Sequence, residues 1–330
     1  MEWVKRILLL VATVFFATTI TFVVIRVMPG DPVQTMAMQF VRDEGMDYAQ
    51  ALERAKAELS FDPDEPIITQ YVAYIGNLLQ GKLGTSLVYK KPTGAIVGAA
   101  LPWTLFVFSS ALLISFVIGI LLGMIAAWRR KTLLDPILSV YTSISGSVPN
   151  YIVAFFFIMI FSVQLKWFPS RGAWDSAIPV GFTIPYISSV LYHAVLPITS
   201  FIAASMGAWA LNMKASAVGI LGEDYITAAR IRGLTNRRII TSYLGRNAML
   251  PLVTQLAISF AFVFGGAPLI ENLFLYPGVG YFLNVSLARR DYPMMQGMFL
   301  IITIAVVIAN LVAELMNAVL DPRLRAESNT

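Results

Sequence analysis

Six long apolar runs constrain this chain more than any other feature: residues 7–27, 101–127, 137–165, 191–211, 252–274 and 298–320. Each has at least the roughly 20 residues that a helix needs to cross a bilayer. Inside lipid every backbone N–H and C=O must be satisfied within the segment, which favours helices over any open sheet. The composition agrees: 57% of residues are hydrophobic and only 13% charged, about half the charged share of a soluble domain. The expected fold class is therefore all-α, a polytopic membrane protein with six transmembrane helices. Pro149 interrupts the third run, and Gly265, Gly266 and Pro268 interrupt the fifth, so those two have the least certain ends. Lys5 and Arg6 give the first run the look of a signal peptide, but it is long for one and no small-residue cleavage site follows. It is read as a retained helix.

An even number of helices puts both termini on one side. Lys5, Arg6, Arg129, Arg130, Lys131, Lys214, Arg230, Arg232, Arg237, Arg238, Arg246, Arg323 and Arg325 then share that side, 13 of the 24 basic residues. Positive residues next to helix ends mark the cytoplasmic face, so both termini are expected in the cytoplasm of a cell (inner) membrane. The pI near 9.4 then reflects topology and attraction to anionic membrane lipid, with no nucleic-acid partner. The chain has no Cys and one His, His193, which excludes disulfides, thiol catalysis and clustered His/Cys metal sites. His193 is read as structural. No catalytic residue and no metal ligand are expected.

Residues 29–98 form the one sizeable water-exposed insert, placed on the outer face. Asp47 is suited to cap a helix with Ala49, Leu52, Ala55 and Leu59 inward; Pro66 is suited to open a second, with Tyr71, Tyr74, Ile75, Leu78 and Leu79 inward. Residues 81–86, Gly-Lys-Leu-Gly-Thr-Ser, read as a loop back to the membrane. Gly76, Gly81 and Lys82 have the spacing of a phosphate-binding loop, but Leu83 replaces the Ser/Thr that would hold Mg²⁺ and no strand precedes it. It is rejected as a nucleotide site, so any ATP and Mg²⁺ bind another chain. Residues 166–186, with Trp167, Phe168, Trp174, Phe182 and Tyr186, read as an interfacial aromatic loop. Residues 284–290 fit a short outer helix. The chain divides into residues 1–28 (tail and first helix), 29–98 (outer insert) and 99–330 (five-helix core).

The core contains a cytoplasmic segment, residues 214–250, whose heart is Glu223, Asp224, Tyr225, Ile226, Thr227, Ala228, Ala229, Arg230, Ile231, Arg232, Gly233 and Leu234. It reads as a short helix ended by Gly233 in a left-handed cap, with Thr235 placed to cap a second helix from Asn236. Ala228 and Ala229 would let another backbone come close. A helix–turn–helix on the wet side of a membrane protein is a docking surface for a soluble partner; a plain linker needs no Ala-Ala and no capping Gly. Within the membrane, Ser143, Ser145, Ser147, Asn150 and Tyr151 crowd the third run, as either a hydrophilic wall or small-residue packing with hydroxyls bonded to their own backbone. Asn212 lies on the fourth run. On the sixth, Asn310, Glu314, Asn317 and Asp321 share a helix face. Glu314 is read first as a packing residue near the inner surface and second as pathway lining.

Taken in order, several segments resemble the permeases of dipeptide/oligopeptide ABC importers, the partner with a long first outer loop. They are Met28-Pro29-Gly30-Asp31-Pro32, the 81–86 loop, Asp224-Tyr225 with Ala228-Ala229-Arg230 and Gly233-Leu234, and Asn247-Ala248-Met249-Leu250-Pro251. Glu271 with Phe274, Tyr276-Pro277-Gly278 and Gly280, then Asp291-Tyr292-Pro293, Gln296-Gly297, and Asp321-Pro322-Arg323-Leu324-Arg325 complete the match. Thr227 stands where the general motif has Glu, and Lys82 where Asp is usual. The resemblance implies a type I importer architecture: two related permeases make the pathway, two ATPase subunits below hold ATP and Mg²⁺, and a solute-binding protein docks outside. It assigns ATPase coupling to Glu223, Asp224, Tyr225, Thr227, Ala228, Ala229, Arg230, Gly233 and Leu234, and leaves Ser143, Ser147, Asn150, Tyr151, Asn212, Asn310 and Glu314 as pathway candidates. Lys82 and the stretch Trp209–Lys214 leave an oligosaccharide substrate open beside peptides. Two other classes compete. An ion-coupled secondary transporter would show repeats and midplane acids, and an intramembrane enzyme would need catalytic groups that this chain lacks.

Overall fold

The computed structural model describes the backbone of residues 2–27, 32–59, 65–129, 132–265 and 268–320, and their side chains except at 2–7, 26, 32, 58, 59, 134 and 313–320. Residues 28–31, Arg130, Lys131, Gly266 and the 321–325 motif lie outside the described residues, as does the side chain of Glu314. The described chain is helical, and its sole bridge pairs Thr85 with Pro92.

In chain order the helices are α1 (Glu2–Val27), α2 (Pro32–Glu44), α3 (Tyr48–Leu59), α4 (Ile67–Leu79), α5 (Thr93–Trp128), α6 (Leu134–Ser147), α7 (Asn150–Phe157), α8 (Ile184–Ile220), α9 (Asp224–Ile231), α10 (Asn236–Arg238), α11 (Arg246–Val263), α12 (Pro268–Leu273), α13 (Val279–Arg289) and α14 (Tyr292–Leu320). Two π-helical segments extend this set: Ile158–Gln164 continues α7, and Ile239–Gly245 joins α10 to α11. Among the described residues, five helices are long and apolar enough to span a membrane: within α1, α5, α8, the run 236–263 and α14. The sixth candidate is the pair α6 and α7, bent by 103° between Ser147 and Asn150. Pro149 disfavours helical backbone at Val148, which is extended (φ −98°, ψ 122°).

Several sequence expectations need correction. The fifth span starts at Asn236 and ends at Val263, about four turns upstream of the expected 252–274. The helix ends at Val263, ahead of Gly265, and α12, which opens at Pro268, is a separate short piece. The second helix of the cytoplasmic segment is therefore the start of this span. Thr235 occupies the cap position (φ −62°, ψ 145°), but its side chain makes no cap hydrogen bond. Among its described residues the outer insert has three helices where two were expected: α2 is the addition, opened by Pro32, with Val33, Met36, Ala37 and Phe40 recurring at helical spacing.

The chain divides into two compact units, Met1–Trp103 with Gly278–Val307, and Thr104–Pro277 with Ile308–Thr330. The first unit contains the insert. There α2 and α3 bury Val33, Met36, Ala37, Phe40, Ala51 and Ala55 together with Leu87. Asp47 caps α3, its Oδ2 accepting from the Ala49 N–H at 3.0 Å. Ala51 and Ala55 face inward and Ala49 is exposed, so the inner face is rotated from the expected one. Helix α4 leans on α1: Tyr71 and Tyr74 lie against Phe22, ring centroids 5.2 and 5.4 Å apart. Leu79, expected inward, is 84% exposed.

Two of the motifs that carry the resemblance, the 81–86 loop and Asp291-Tyr292-Pro293, meet at Asp291, which is fully buried. Its Oδ1 accepts from the Met294 N–H at 3.2 Å and so caps α14. Its Oδ2 accepts from Ser86 Oγ at 2.5 Å and from the Val88 N–H at 3.1 Å. A Cβ on Gly84 would lie 2.9 Å from Pro293 Cβ, and one on Gly297 would lie 2.5 Å from Thr93 Cγ2. The 81–86 loop is thus seated on the start of α14, which accounts for two of its residues, Gly84 and Ser86.

In the second unit α5 packs on α8 with almost no separation. A Cβ on Gly119 would meet Trp209 Cβ at 2.4 Å, and one on Gly123 would meet the Ala210 carbonyl oxygen at 2.3 Å. This Gly-x-x-x-Gly pair serves the usual membrane role of letting two backbones approach. Gly207 of α8 does the same toward Ser145 and Thr142 of α6. Lys214 pairs with Asp135, and the Tyr141 hydroxyl donates to the Ala203 carbonyl. Glu271 is 2% exposed, and its Oε1 accepts from Thr104 Oγ1 at 2.7 Å.

Candidate functional site: the helix–turn at residues 223–234

Helix α9 follows α8 after a short turn at Leu221–Gly222 and opens at Glu223, whose extended backbone (φ −72°, ψ 145°) forms the cap without a side-chain bond. Asp224 in the first turn and Arg230 in the last suit the helix dipole. The C-terminus closes as a Schellman motif: the Leu234 N–H donates to the Ala229 carbonyl at 3.2 Å and the Gly233 N–H to the Arg230 carbonyl at 2.9 Å. Gly233 sits at φ +73°, a conformation that other residues adopt at a cost.

The helix has two distinct faces. Ile226 and Ala229 are 0% and 3% exposed and form a cluster with Ile239, against which Trp128, Ile220, Leu234 and Tyr243 also pack. Ala229 was expected on the outer contact face, but it supports the helix from beneath, and close approach from outside falls to Ala228. The outward face carries Asp224, Tyr225, Thr227 and Ala228, with Ile231 82% exposed at its end. The Arg230 guanidinium lies 5.6 Å from the Trp128 ring centroid, a cation–π contact.

Beneath α9 lies the start of the fifth span. Ile239 and Tyr243, both in the π segment, belong to the α9 cluster. Asn247 Nδ2 donates to the Tyr225 hydroxyl at 3.1 Å and to the Tyr243 carbonyl at 3.0 Å. A Cβ on Gly245 would meet the Ile240 carbonyl at 2.9 Å. The Asn-Ala-Met-Leu-Pro motif is thereby tied to the α9 motif by one side-chain bond. Sequence reasoning missed the π segment, since no composition signal marks it; such segments recur at functional sites.

The pathway candidates are spread over four helices, α6, α7, α8 and α14. Ser143 and Ser147 donate to the Ser139 and Ser143 carbonyls at 2.9 and 2.8 Å and are otherwise exposed. Asn150 and Tyr151 are exposed just past the Pro149 bend. Asn212 Nδ2 reaches Gln255 Oε1 at 3.3 Å, linking α8 to α11. Asn310 is exposed on α14. His193 bonds the Ser189 carbonyl through Nδ1 at 2.8 Å, in keeping with a structural role.

Residues 119–326 match the family described as binding-protein-dependent transport system inner membrane component. The chain is 33% identical over 324 residues to a protein named as a peptide permease in Brucella suis biovar 1 (strain 1330), covering 97% of each chain. It is 31% identical to the glutathione transport system permease protein GsiC of Escherichia coli (strain K12), covering 98% of each. It is also 31% identical to the di/tripeptide transport system permease protein DppB of Pseudomonas aeruginosa (strain UCBPP-PA14), covering 97% of each. With its membrane-spanning helices and helix–turn in the order the motifs require, the chain belongs to the family of binding-protein-dependent transport system inner membrane components, as a multi-pass permease subunit and not an enzyme.

Proposed function

We propose that this chain is one of two permeases in an ATP-driven importer of short peptides, that a solute-binding protein delivers the substrate outside, and that each permease receives an ATPase subunit on its 223–234 helix–turn. ATP and Mg²⁺ belong to those ATPases. Both termini and α9 face the cytoplasm, residues 29–98 form the outer-face insert, and residues 99–330 supply the five-helix core. The observation that carries the reading is the two-faced α9. Its inner face is locked by Ile226 and Ala229, while Tyr225, Thr227, Ala228 and Ile231 are exposed on a polar side of the chain. An apolar residue held out by a rigid helix fits a helix-in-groove contact. The names of the relatives support peptides over oligosaccharides.

The geometry suggests how force passes. A push on α9 reaches α11 through the Ile226–Ala229–Ile239 cluster and the Tyr225–Asn247 bond. Asn212 with Gln255, and Ser143, Ser147, Asn150 and Tyr151 around the α6–α7 bend, are assigned to the pathway wall, with Asn310 and Glu314 on α14 as further candidates. The test is uptake by the reconstituted assembly with its binding protein, comparing di- and tripeptides with oligosaccharides of similar size. Peptide uptake that requires ATP supports the proposal. Uptake of oligosaccharides alone, or uptake driven by an ion gradient without ATP, refutes it.

A further inference from the structure

We propose that the second unit carries a site for an anionic phospholipid, in the cavity of about 340 Å³ lined by Met124, Ile125, Trp128, Arg129 and Ile240. The inference rests on the cytoplasmic placement of α9 proposed above, which puts this cavity at the inner leaflet.

The lining has the polarity profile of one phospholipid at a membrane boundary. Met124, Ile125 and Trp128 belong to the last turns of the span Thr93–Trp128, and Arg129 is the first residue beyond it. Apolar surface therefore faces the acyl region and a guanidinium stands at headgroup depth. Arg129 is exposed, and among the described residues no ion pair or hydrogen bond engages its side chain. Arg130 and Lys131 follow it in the sequence, so the local charge is positive. A guanidinium binds phosphate through paired N–H donors, and basic pockets at the cytoplasmic ends of helices suit anionic headgroups. A free phosphate would satisfy Arg129 but would leave the apolar lining against water, so the cavity favours a lipid.

The location gives the site a consequence. Ile240 lies in the π segment Ile239–Gly245, whose neighbouring Ile239 is the buried partner of α9. Trp128 lines the cavity and also packs against the same cluster. A lipid seated there touches both the end of α5 and the segment that carries motion from α9 into the fifth span. Anionic lipid is thus expected to stiffen the coupling path and raise transport-linked ATP hydrolysis.

The experiment places the full assembly in nanodiscs of phosphatidylcholine alone or with increasing phosphatidylglycerol. Retained lipid is read by native mass spectrometry and ATP hydrolysis is read in parallel. The wild type is expected to retain phosphatidylglycerol selectively and to hydrolyse faster as its fraction rises. Arg129→Ala is expected to lower that retention about fivefold, from the loss of one interfacial cation, and Arg129→Lys to restore part of it. Ile240→Trp, which fills the cavity and keeps Arg129, is expected to lower retention as well. Equal retention in wild type, Arg129→Ala and Ile240→Trp overturns the site, as does displacement of the lipid by millimolar inorganic phosphate. Loss of ATPase co-purification from Arg129→Ala in lipid-free detergent also overturns it, by assigning the cavity to the ATPase. Should wild-type α9 prove not to bind an ATPase, the coupling reading falls while lipid retention still decides the site.

Discussion

Replacing Ile231 and Ile226 separately by alanine sets the face of α9 proposed to receive the ATPase against its supporting face. Ile231 is 82% exposed, so truncating it removes almost no packing in the free subunit, and its effect on stability should stay within about 0.5 kcal/mol. If a partner groove covers that side chain, full burial of an Ile is worth about 1.5–3 kcal/mol. Scaled by its exposure, the loss on binding is about 2 kcal/mol, a weakening of roughly 30-fold. Ile226 is wholly buried against Ala229 and Ile239, so Ile226→Ala should cost about 2–5 kcal/mol of local stability. The assay is binding of the purified ATPase to the permease pair in detergent, with thermal unfolding measured on the same samples. Ile231→Ala is expected to bind weakly and melt like the wild type. Ile226→Ala is expected to melt early, with binding reduced because the helix is no longer held. An Ile231→Ala permease that binds its ATPase with wild-type affinity would refute the assignment of this face.

Three further outcomes are expected. Asp291→Ala leaves Ser86 Oγ and the Val88 and Met294 N–H groups without their carboxylate and should cost about 3 kcal/mol; a melting temperature equal to the wild type would refute the role given to this residue. Gly119→Leu places its Cβ 2.4 Å from Trp209 Cβ, forcing α5 and α8 apart at a cost of at least about 1–3 kcal/mol, read as lower yield and earlier unfolding in detergent; wild-type behaviour would mean that the contact is loose. Single Cys substitutions at Asp47, Asp175 and Arg237 in this Cys-free chain report topology: an impermeant thiol reagent on intact cells should label the first two and spare the third, and labelling at 237 would overturn the orientation.

The membrane class was legible because hydropathy is additive: each long apolar run is a complete signal on its own, and the first, second, fourth and sixth runs overlap the spans found within α1, α5, α8 and α14. Helix ends were less legible where a polar segment is continuous with a span. Asn236–Arg238 and the π segment carry Arg, Ser and Thr that depress local hydropathy, so the fifth span looked as if it began at Leu252, whereas one helical run continues from Asn236 to Val263. Helix α2 was readable from its Val33, Met36, Ala37 and Phe40 spacing with Pro32 at its first position. Burial within α9 was the finer failure. Its apolar residues Ile226, Ala229 and Ile231 do not share one face, and sequence alone does not say whether Ala228 or Ala229 faces the chain's own core.

That distinction bears on how a permease without catalytic groups can take part in an ATP-driven cycle. A docking helix transmits force only if its attachment to the spans is stiffer than its contact with the partner. Here the inner attachment is a buried cluster of Ile226, Ala229 and Ile239, closed by a Schellman turn that also brings Leu234 into it. The outer face offers chiefly Tyr225, Thr227, Ala228 and the end-on Ile231. Removing the inner side chains exposes apolar surface and opens cavities, whereas releasing the outer face only returns already exposed groups to water. A contact weaker than the anchor is what repeated opening and closing of an ATPase pair would demand, and the π segment beneath, less regularly bonded than α-helix, is the element best placed to absorb the remaining movement between α9 and the fifth span.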